Sequence, residues 1–141
     1  MTLIRNVIGL ISGVVIGGIV NMSIVTLGPN LIPAPIGVDV NDVESIAASI
    51  HLFEFKHFVT PFLAHALGTL TGAFVAFRVV ASHRLKFAYV IGVLNLAGGI
   101  TAATMIPAPV WFLAVDLIGA YLPAAWLGIF IAKRSLGMAT H

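Results

Sequence analysis

The sequence predicts an all-α integral membrane protein with four transmembrane helices, and three observations support this prediction. Of the 141 residues, 60% are hydrophobic and only 9% are charged. Four apolar stretches are each long enough to cross a bilayer, and the basic residues flank them mainly on one side. Because soluble domains carry about a quarter charged residues, this chain has too few to cover a water-facing surface, and lipid is the expected solvent.

The four predicted spans take up most of the chain. A helix needs about 20 apolar residues to cross the hydrocarbon core, and the stretches that qualify run from about Asn6 to Leu27, from Phe58 to Phe77, from Phe87 to about Met105 and from Val110 to Ala132. Four continuous spans are too few for a closed barrel, so we interpret them as helices. Met1 to Arg5 resembles the charged start of a signal peptide, but the following apolar run is too long for one, so we expect an uncleaved first span.

The basic residues predict that both termini are cytoplasmic. Six of the seven lie at the N-terminus, between the second and third spans, or at the C-terminus, whereas Lys56 lies on the opposite side together with four acidic residues. Such an excess of Lys and Arg marks cytoplasmic loops. We therefore expect an N-in/C-in protein of a bacterial inner membrane, whose partner is the lipid bilayer and not nucleic acid.

A repeated phrase predicts that the chain contains two related halves. The phrase Ile32-Pro33-Ala34-Pro35 recurs 74 residues later as Ile106-Pro107-Ala108-Pro109. The same offset superposes Asn21 on Asn95, Gly18 on Gly92 and Asp42 on Asp116. We therefore divide the single transmembrane domain, residues 1–141, into repeat 1 at about 5–80 and repeat 2 at about 84–134. Both begin on the inside, so they are parallel two-helix repeats, which are typical of transport folds.

Repeat 1 contains an insertion at about 40–56 that predicts a short amphipathic helix on the outer surface. Apolar residues recur there at three- and four-residue spacing: Val43, Ile46, Ile50 and Phe53. Asn41 and Glu44 resemble a capping box, and we expect the apolar side of the helix to lie against lipid. The alternative is that this segment extends the second span, with a kink at Pro61.

Each predicted span contains one strongly polar side chain in its outer half: Asn21, His65, Asn95 and Asp116. An ionisable side chain in hydrocarbon costs about 2.5–3.5 kcal/mol on insertion scales, so it needs a partner or a function. We expect the four to converge in one polar layer for transport, with Asp116 accepting a hydrogen bond from His65. The alternative is four separate hydrogen bonds between helices, each worth about 0.6–2 kcal/mol, that only hold the bundle together.

The second span has the most ordered polar face, a stripe at helical spacing: Glu54, His57, Pro61, His65, Gly68 and Gly72. Glu54 and His57 are the expected outer entrance of a proton or cation path that leads to His65. His and carboxylate side chains also suit zinc, iron or copper, and the candidate metal ligands are His51, Glu54, His57 and His65. The alternative is that His51, Glu54 and His57 only solvate a helix end. The sequence itself requires no cofactor, and it does not identify one.

Glycines at helical spacing predict close packing between helices. Gly9, Gly13 and Gly17 recur every four residues in the first span, and Gly68 and Gly72 do so in the second. Small residues of this kind let helix backbones approach closely. We expect the first helix to pack tightly, either within the chain or against a second copy.

These features favour a homo-oligomeric channel or transporter for a proton, a cation or a small solute. The chain has no cysteine and contains no nucleophile-elbow, P-loop or dinucleotide-binding motif, so its sequence indicates no enzyme activity. Three other classes stay open. The first is a non-catalytic subunit or assembly factor of a larger membrane complex, and the second is an intramembrane metal- or haem-binding protein. A membrane-embedded enzyme that acts on lipid ranks last, since no catalytic set is visible.

Overall fold

The structure, a computed structural model, describes residues 1–138, so residues 139–141 of the predicted domain lie outside the described residues. Within the described range the helices are Thr2–Leu27 (α1), Val43–Ser49 (α2), Phe55–Val79 (α3), Arg84–Met105 (α4), Val110–Gly119 (α5) and Leu122–Ser135 (α6). Short 3₁₀ turns follow α1 at Gly28–Asn30 and α2 at Ile50–Leu52. Residues 1–138 contain no strand, which confirms the all-α prediction.

Within the described residues, four helical stretches are long and apolar enough to cross a membrane, as predicted: Thr2–Asn30, Phe55–Val79, Arg84–Met105 and Val110–Ser135. Three of them begin earlier than the sequence predicts, because polar and charged residues at the ends of the spans stay helical. For example, α3 begins three residues before Phe58 and α4 three residues before Phe87. The chain therefore has the architecture of an integral membrane helix bundle.

The fourth span is broken, which corrects the prediction of one continuous helix from Val110 to Ala132. Ala120 and Tyr121 separate α5 from α6, and Tyr121 has φ −115° and ψ −77°. Pro123 explains the break, because its nitrogen carries no hydrogen and its ring clashes with a preceding helical turn. Pro123 lies in the first turn of α6, where a missing backbone N–H does not cost a helical hydrogen bond.

The short helix predicted between the first two spans is present as α2, but its capping residue differs. The N-cap is Asp42, whose carboxylate accepts a hydrogen bond from the backbone N–H of Glu44 at 3.1 Å. The predicted cap, Asn41, belongs to the preceding turn, where its backbone N–H donates to the Asp39 side chain at 2.9 Å. A 3₁₀ turn and extended residues separate α2 from α3, so the segment does not extend the second span. The helix α3 itself continues through Pro61.

The long helices run between two ends of the bundle, which we name by their loops. The Pro-loop end carries residues 28–54 and 106–109, and the termini end carries Met1, the 80–83 loop and residues 135–138. The central helix is α3, which packs against α1, α4 and α6. Toward the termini end these helices enclose a core that we call the packed half: Ala73, Ala76, Phe77, Ala88, Ile91, Ala125, Ile129 and Ala132.

The predicted packing glycines lie along the contact between α1 and α3: Gly9, Gly13, Gly17, Gly68 and Gly72. A Cβ atom added to Gly13 would lie 2.7 Å from the carbonyl oxygen of Gly72, and one added to Gly72 would lie 2.7 Å from that of Gly13. Gly17 and Gly68 face each other in the same way, at 2.6 and 2.9 Å. This face of α1 therefore packs within the chain, with no room for a side chain between the backbones.

Hydrogen bonds tie the start of α1 to the 80–83 loop. The side-chain oxygen of Asn6 accepts hydrogen bonds from the backbone N–H groups of Ala81 and Ser82 at 3.0 and 3.2 Å. The Asn6 amide also donates to the Ser82 hydroxyl at 2.9 Å, and Arg5 donates to the Val79 carbonyl at 2.9 Å. These contacts close the termini end, and sequence reasoning did not single out Asn6 because it lies at the predicted start of a span.

Candidate functional site

A cluster of His65, Asp116 and Tyr121 lies between α3 and the broken fourth span. His65 Nδ1 lies 2.9 Å from Asp116 Oδ1 and 3.0 Å from Oδ2, and the Tyr121 hydroxyl donates to Oδ2 at 3.0 Å. The same hydroxyl oxygen lies 3.0 Å from His65 Nδ1, and the two rings stack with centroids 5.6 Å apart. The predicted hydrogen bond between His65 and Asp116 is therefore present, and Tyr121 is a third member that sequence reasoning missed.

The break in the fourth span explains how Tyr121 reaches the cluster. Two residues five positions apart on a continuous helix point about 140° away from each other around the axis. The break after α5 lets Asp116 and Tyr121 both face α3. Gly99 in α4 provides the space, because a Cβ atom there would lie 2.6 Å from Tyr121 Cζ. The sequence signal for this arrangement is Pro123, which ends helix continuity next to Tyr121.

The chemistry of the carboxylate sets the direction of the hydrogen bonds. An ionised carboxylate only accepts, so His65 donates through Nδ1–H, and Nε2 is an acceptor when the ring is neutral. Within residues 1–138, every buried side-chain nitrogen or oxygen has a hydrogen-bond partner. His65 Nε2 has no partner there, so this atom is not fully buried and is accessible. The His65 side chain is 25% exposed and that of Asp116 is 6% exposed.

An apolar cavity of about 240 Å³, the Pro-loop cavity, lies between this cluster and the Pro-loop end. Its apolar walls include residues from α2, α3, α5 and the connecting loops: Ile32, Ile46, Ile50, Phe53, Phe58 and Phe112. Its ionisable and hydroxyl side chains are His57, Thr60, His65 and Asp116. A mainly apolar cavity therefore ends on the half-buried His65 and the buried Asp116.

A second cavity of about 310 Å³, the middle cavity, lies on the other side of His65. Its polar side chains come from α1, α3, α4 and the break in the fourth span: Asn21, His65, Thr69, Asn95 and Tyr121. Three residues line both cavities, namely His65, Gly99 and Ala102, so the imidazole lies at their junction. We call the part of the bundle from the middle cavity to the Pro-loop end the open half.

The two asparagines of the predicted polar layer both line the middle cavity but differ in their partners. Asn95 donates to the hydroxyl of the buried Thr69 at 2.9 Å. Asn21 lies against Gly68, and its amide makes no hydrogen bond within the part of the chain that the structure describes. The layer thus has two parts, the His–Asp pair and two amides about one helical turn further along α3.

The predicted entrance residues partner each other at the start of α3. The Glu54 side chain accepts the backbone N–H of His57, and His57 Nδ1 accepts the backbone N–H of Glu54 at 2.8 Å. Glu54 also forms an exposed ion pair with Lys56 at 3.1 Å. This geometry matches the alternative in which these residues satisfy a helix end, although His57 also lines the Pro-loop cavity.

The structure does not bring the candidate metal ligands together. His51 is exposed in the 3₁₀ turn before α3, His57 is bonded to the backbone, and His65 is bonded to Asp116. Among residues 1–138, no group of three or more His, Asp or Glu side chains is arranged to hold a metal ion.

The 74-residue offset aligns residues of the first half with residues of the second. Some of the aligned residues lie in similar surroundings and others do not. Asn21 and Asn95 line the same cavity. Asp42 is the exposed N-cap of α2, whereas Asp116 is buried in α5. The asparagine pair thus fits the duplication hypothesis better than the aspartate pair does.

Comparison with protein-family models, with curated proteins and with solved structures finds no match for this chain. Its class is defined by its own fold and site. It is an integral membrane helix bundle in which a His–Asp–Tyr cluster lies between an apolar cavity and a polar one.

Proposed function

We propose that this protein is a membrane transport protein in which His65 and Asp116 form a proton-binding site. The observation that supports this function is the position of His65, which lines both cavities while Asp116 holds its Nδ1. Ionisable residues inside a membrane bundle are costly, and they typically mark proton or ion pathways. The accessible Nε2 is the atom that takes up and releases the proton.

The surrounding groups support proton uptake at this site. Asp116 lies against the side of the imidazole opposite to the accessible nitrogen, so its negative charge stabilises the imidazolium. Tyr121 donates to the same carboxylate and fixes its orientation. The amides of Asn21 and Asn95 line the middle cavity, which is large enough for several water molecules that would carry the proton onward from His65.

The proposal includes an orientation in the membrane. The termini end faces the cytoplasm and the Pro-loop end faces the outside of a bacterial inner membrane, with α2 at the outer surface. The support is the distribution of Lys and Arg, six of which belong to the termini end and one to the Pro-loop end. All residues of the proposed path belong to one chain, so each copy in a homo-oligomer has its own path.

Proton flux into liposomes tests this function. Purified protein is reconstituted with a pH-sensitive dye inside, and a potassium diffusion potential drives protons inward. The Asp116→Asn variant should reduce flux at least about tenfold, because it removes the negative charge that stabilises the imidazolium. A tenfold loss corresponds to about 1.4 kcal/mol of that stabilisation. Detergent thermal unfolding of the same variant shows whether the bundle still folds.

Asp42→Asn is the matched control, because it makes the same exchange at an exposed position. Asn is as good an N-cap as Asp, so α2 should keep its cap. Wild-type flux is expected for this variant. Flux that persists at the wild-type level in a folded Asp116→Asn variant would refute the proton-binding role.

A further inference from the structure

We propose that the Pro-loop cavity binds a neutral, ring-bearing molecule with a single O–H donor, of the chemical class of phenols, whose hydroxyl donates to His65 Nε2. Its role as the transported solute rests on the proposed transport function, whereas binding itself does not. Four features of the cavity lead to this ligand class: its walls, its polar end, its charge and its size.

The walls of the cavity favour an aromatic ring. Phe53, Phe58 and Phe112 line it together with aliphatic side chains. Phe58 and Phe112 lie 4.8 Å apart between centroids, and Phe53 and Phe58 lie 6.1 Å apart, so the rings form a continuous apolar wall. Aromatic rings prefer offset or edge contacts with one another at about these separations.

The polar end of the cavity favours a hydrogen-bond donor. With Nδ1 held by Asp116, the accessible Nε2 of a neutral His65 can only accept. Asp116 adds a negative charge close by, which repels a carboxylate and leaves a neutral hydroxyl unaffected. Ligand pockets are typically apolar with a small number of polar groups that fix orientation, and this cavity has that composition.

The size of the cavity limits the ligand to a small ring system. An apolar cavity of about 150 Å³ holds benzene, and the Pro-loop cavity has about 240 Å³. By proportion it accommodates about ten non-hydrogen atoms, which corresponds to two fused rings. The probes are therefore 2-naphthol, naphthalene and 2-naphthoate, which share a ring system and differ in the polar group.

Equilibrium dialysis against protein-containing nanodiscs tests the proposal, with empty nanodiscs as the partition blank and no pH gradient. Saturable binding of 2-naphthol should be about two- to tenfold tighter than that of naphthalene, the difference that one net hydrogen bond makes. Binding of 2-naphthoate should be the weakest. The His65→Leu variant should bind 2-naphthol and naphthalene equally, provided that its thermal unfolding shows a folded bundle.

Two variants that replace an alanine of α4 by phenylalanine show where the probes bind. They leave His65 unchanged, so they test the binding site independently of that residue. Ala103→Phe fills the Pro-loop cavity and should abolish saturable binding of all three probes. Ala97→Phe adds the same ring at an exposed position on the same helix, outside the lining of both cavities, and should bind as the wild type does.

Equal binding by the two alanine variants, or tighter binding of 2-naphthoate than of 2-naphthol, would overturn the proposal. Because no gradient is present, these results are distinct from a failure of the transport function. A protein that binds 2-naphthol without conducting protons would lose the proposed function and keep the ligand class. A protein that conducts protons without saturable binding would lose the ligand class alone.

Discussion

The packed half and the open half of the bundle use the same helices in different ways. In the packed half, alanine and glycine bring α3 close to its neighbours, and the core residues are buried. In the open half, the same helices enclose cavities of about 240 and 310 Å³ that meet at His65. Close packing at one end holds the bundle together, so the other end can keep a polar cluster and its cavities.

The residues that distinguish the halves are those that set the distance between backbones. Gly13 and Gly72 allow contact between the backbones of α1 and α3. In the open half, the break next to Tyr121 redirects the chain, and aromatic side chains such as Phe58 and Phe112 separate the elements. Small residues at helix contacts and breaks beside cavities are both established features of membrane bundles.

The largest expected effect is that of Gly13→Val, which breaks the close contact of the packed half. The added Cβ would lie 2.7 Å from the Gly72 carbonyl oxygen and 3.0 Å from the Ala76 side chain. The free energy of unfolding should fall by at least about 3 kcal/mol, the upper end for overpacked cores, because backbone rather than a flexible side chain must move. Thermal unfolding in detergent, followed by circular dichroism, measures the loss.

The control for this variant is Gly18→Val in the same helix. A Cβ atom at Gly18 meets nothing within 4 Å, so the substitution should change stability by less than about 1 kcal/mol, the range of helix propensity. Equal losses for the two variants would mean that helix propensity, and not contact with α3, explains the result.

An intermediate effect is expected within the open half, where Gly99 makes room for Tyr121. Gly99→Ala should displace the Tyr121 ring, lower stability by about 1–3 kcal/mol and reduce proton flux, because Asp116 then loses a hydrogen-bond donor. Gly98→Ala should keep both properties, since a Cβ atom there meets nothing within 4 Å. Both glycines line the middle cavity, so an effect that comes only from added bulk in that cavity should be shared by the two variants.

The smallest effect is expected from the two asparagines of the open half. Asn95→Ala removes a hydrogen bond to Thr69 and should lower the free energy of unfolding by about 0.6–1.7 kcal/mol. Asn21→Ala removes no hydrogen bond within residues 1–138 and should stay within about 0.5 kcal/mol of the wild type. The reverse order, measured by the same unfolding experiment, would show that Asn21 has the structural role and Asn95 does not.

Much of the architecture follows from the sequence because hydropathy acts over whole helices. Lipid requires long apolar spans, so their number and approximate ends can be predicted. The bond between His65 and Asp116 is also predictable, because two ionisable residues at similar depth have few other partners. The row from Gly9 to Gly17 predicts a close helix contact for a similar reason, since its small residues all face one side.

The rest depends on distant contacts that a local pattern does not contain. Tyr121 joins the site only because Pro123 breaks the span and Gly99 makes room for the ring. The N-cap of α2 is Asp42 and not Asn41 because the turn made by Asp39 shifts the start of the helix. The cavities arise from the packing of helices α1 to α5 and the loops between them, so no single segment predicts them.

The pairing of His65 with a residue 51 positions later has a consequence for how the protein is made. At about 5–20 residues per second, a ribosome needs about 3–10 s to synthesise the intervening chain. During that time α3 exists without Asp116 and Tyr121, the two partners of its imidazole. The His–Asp–Tyr cluster can therefore form only after the last span has been synthesised. A chain truncated before that span would contain the first three long helices but lack Asp116 and Tyr121.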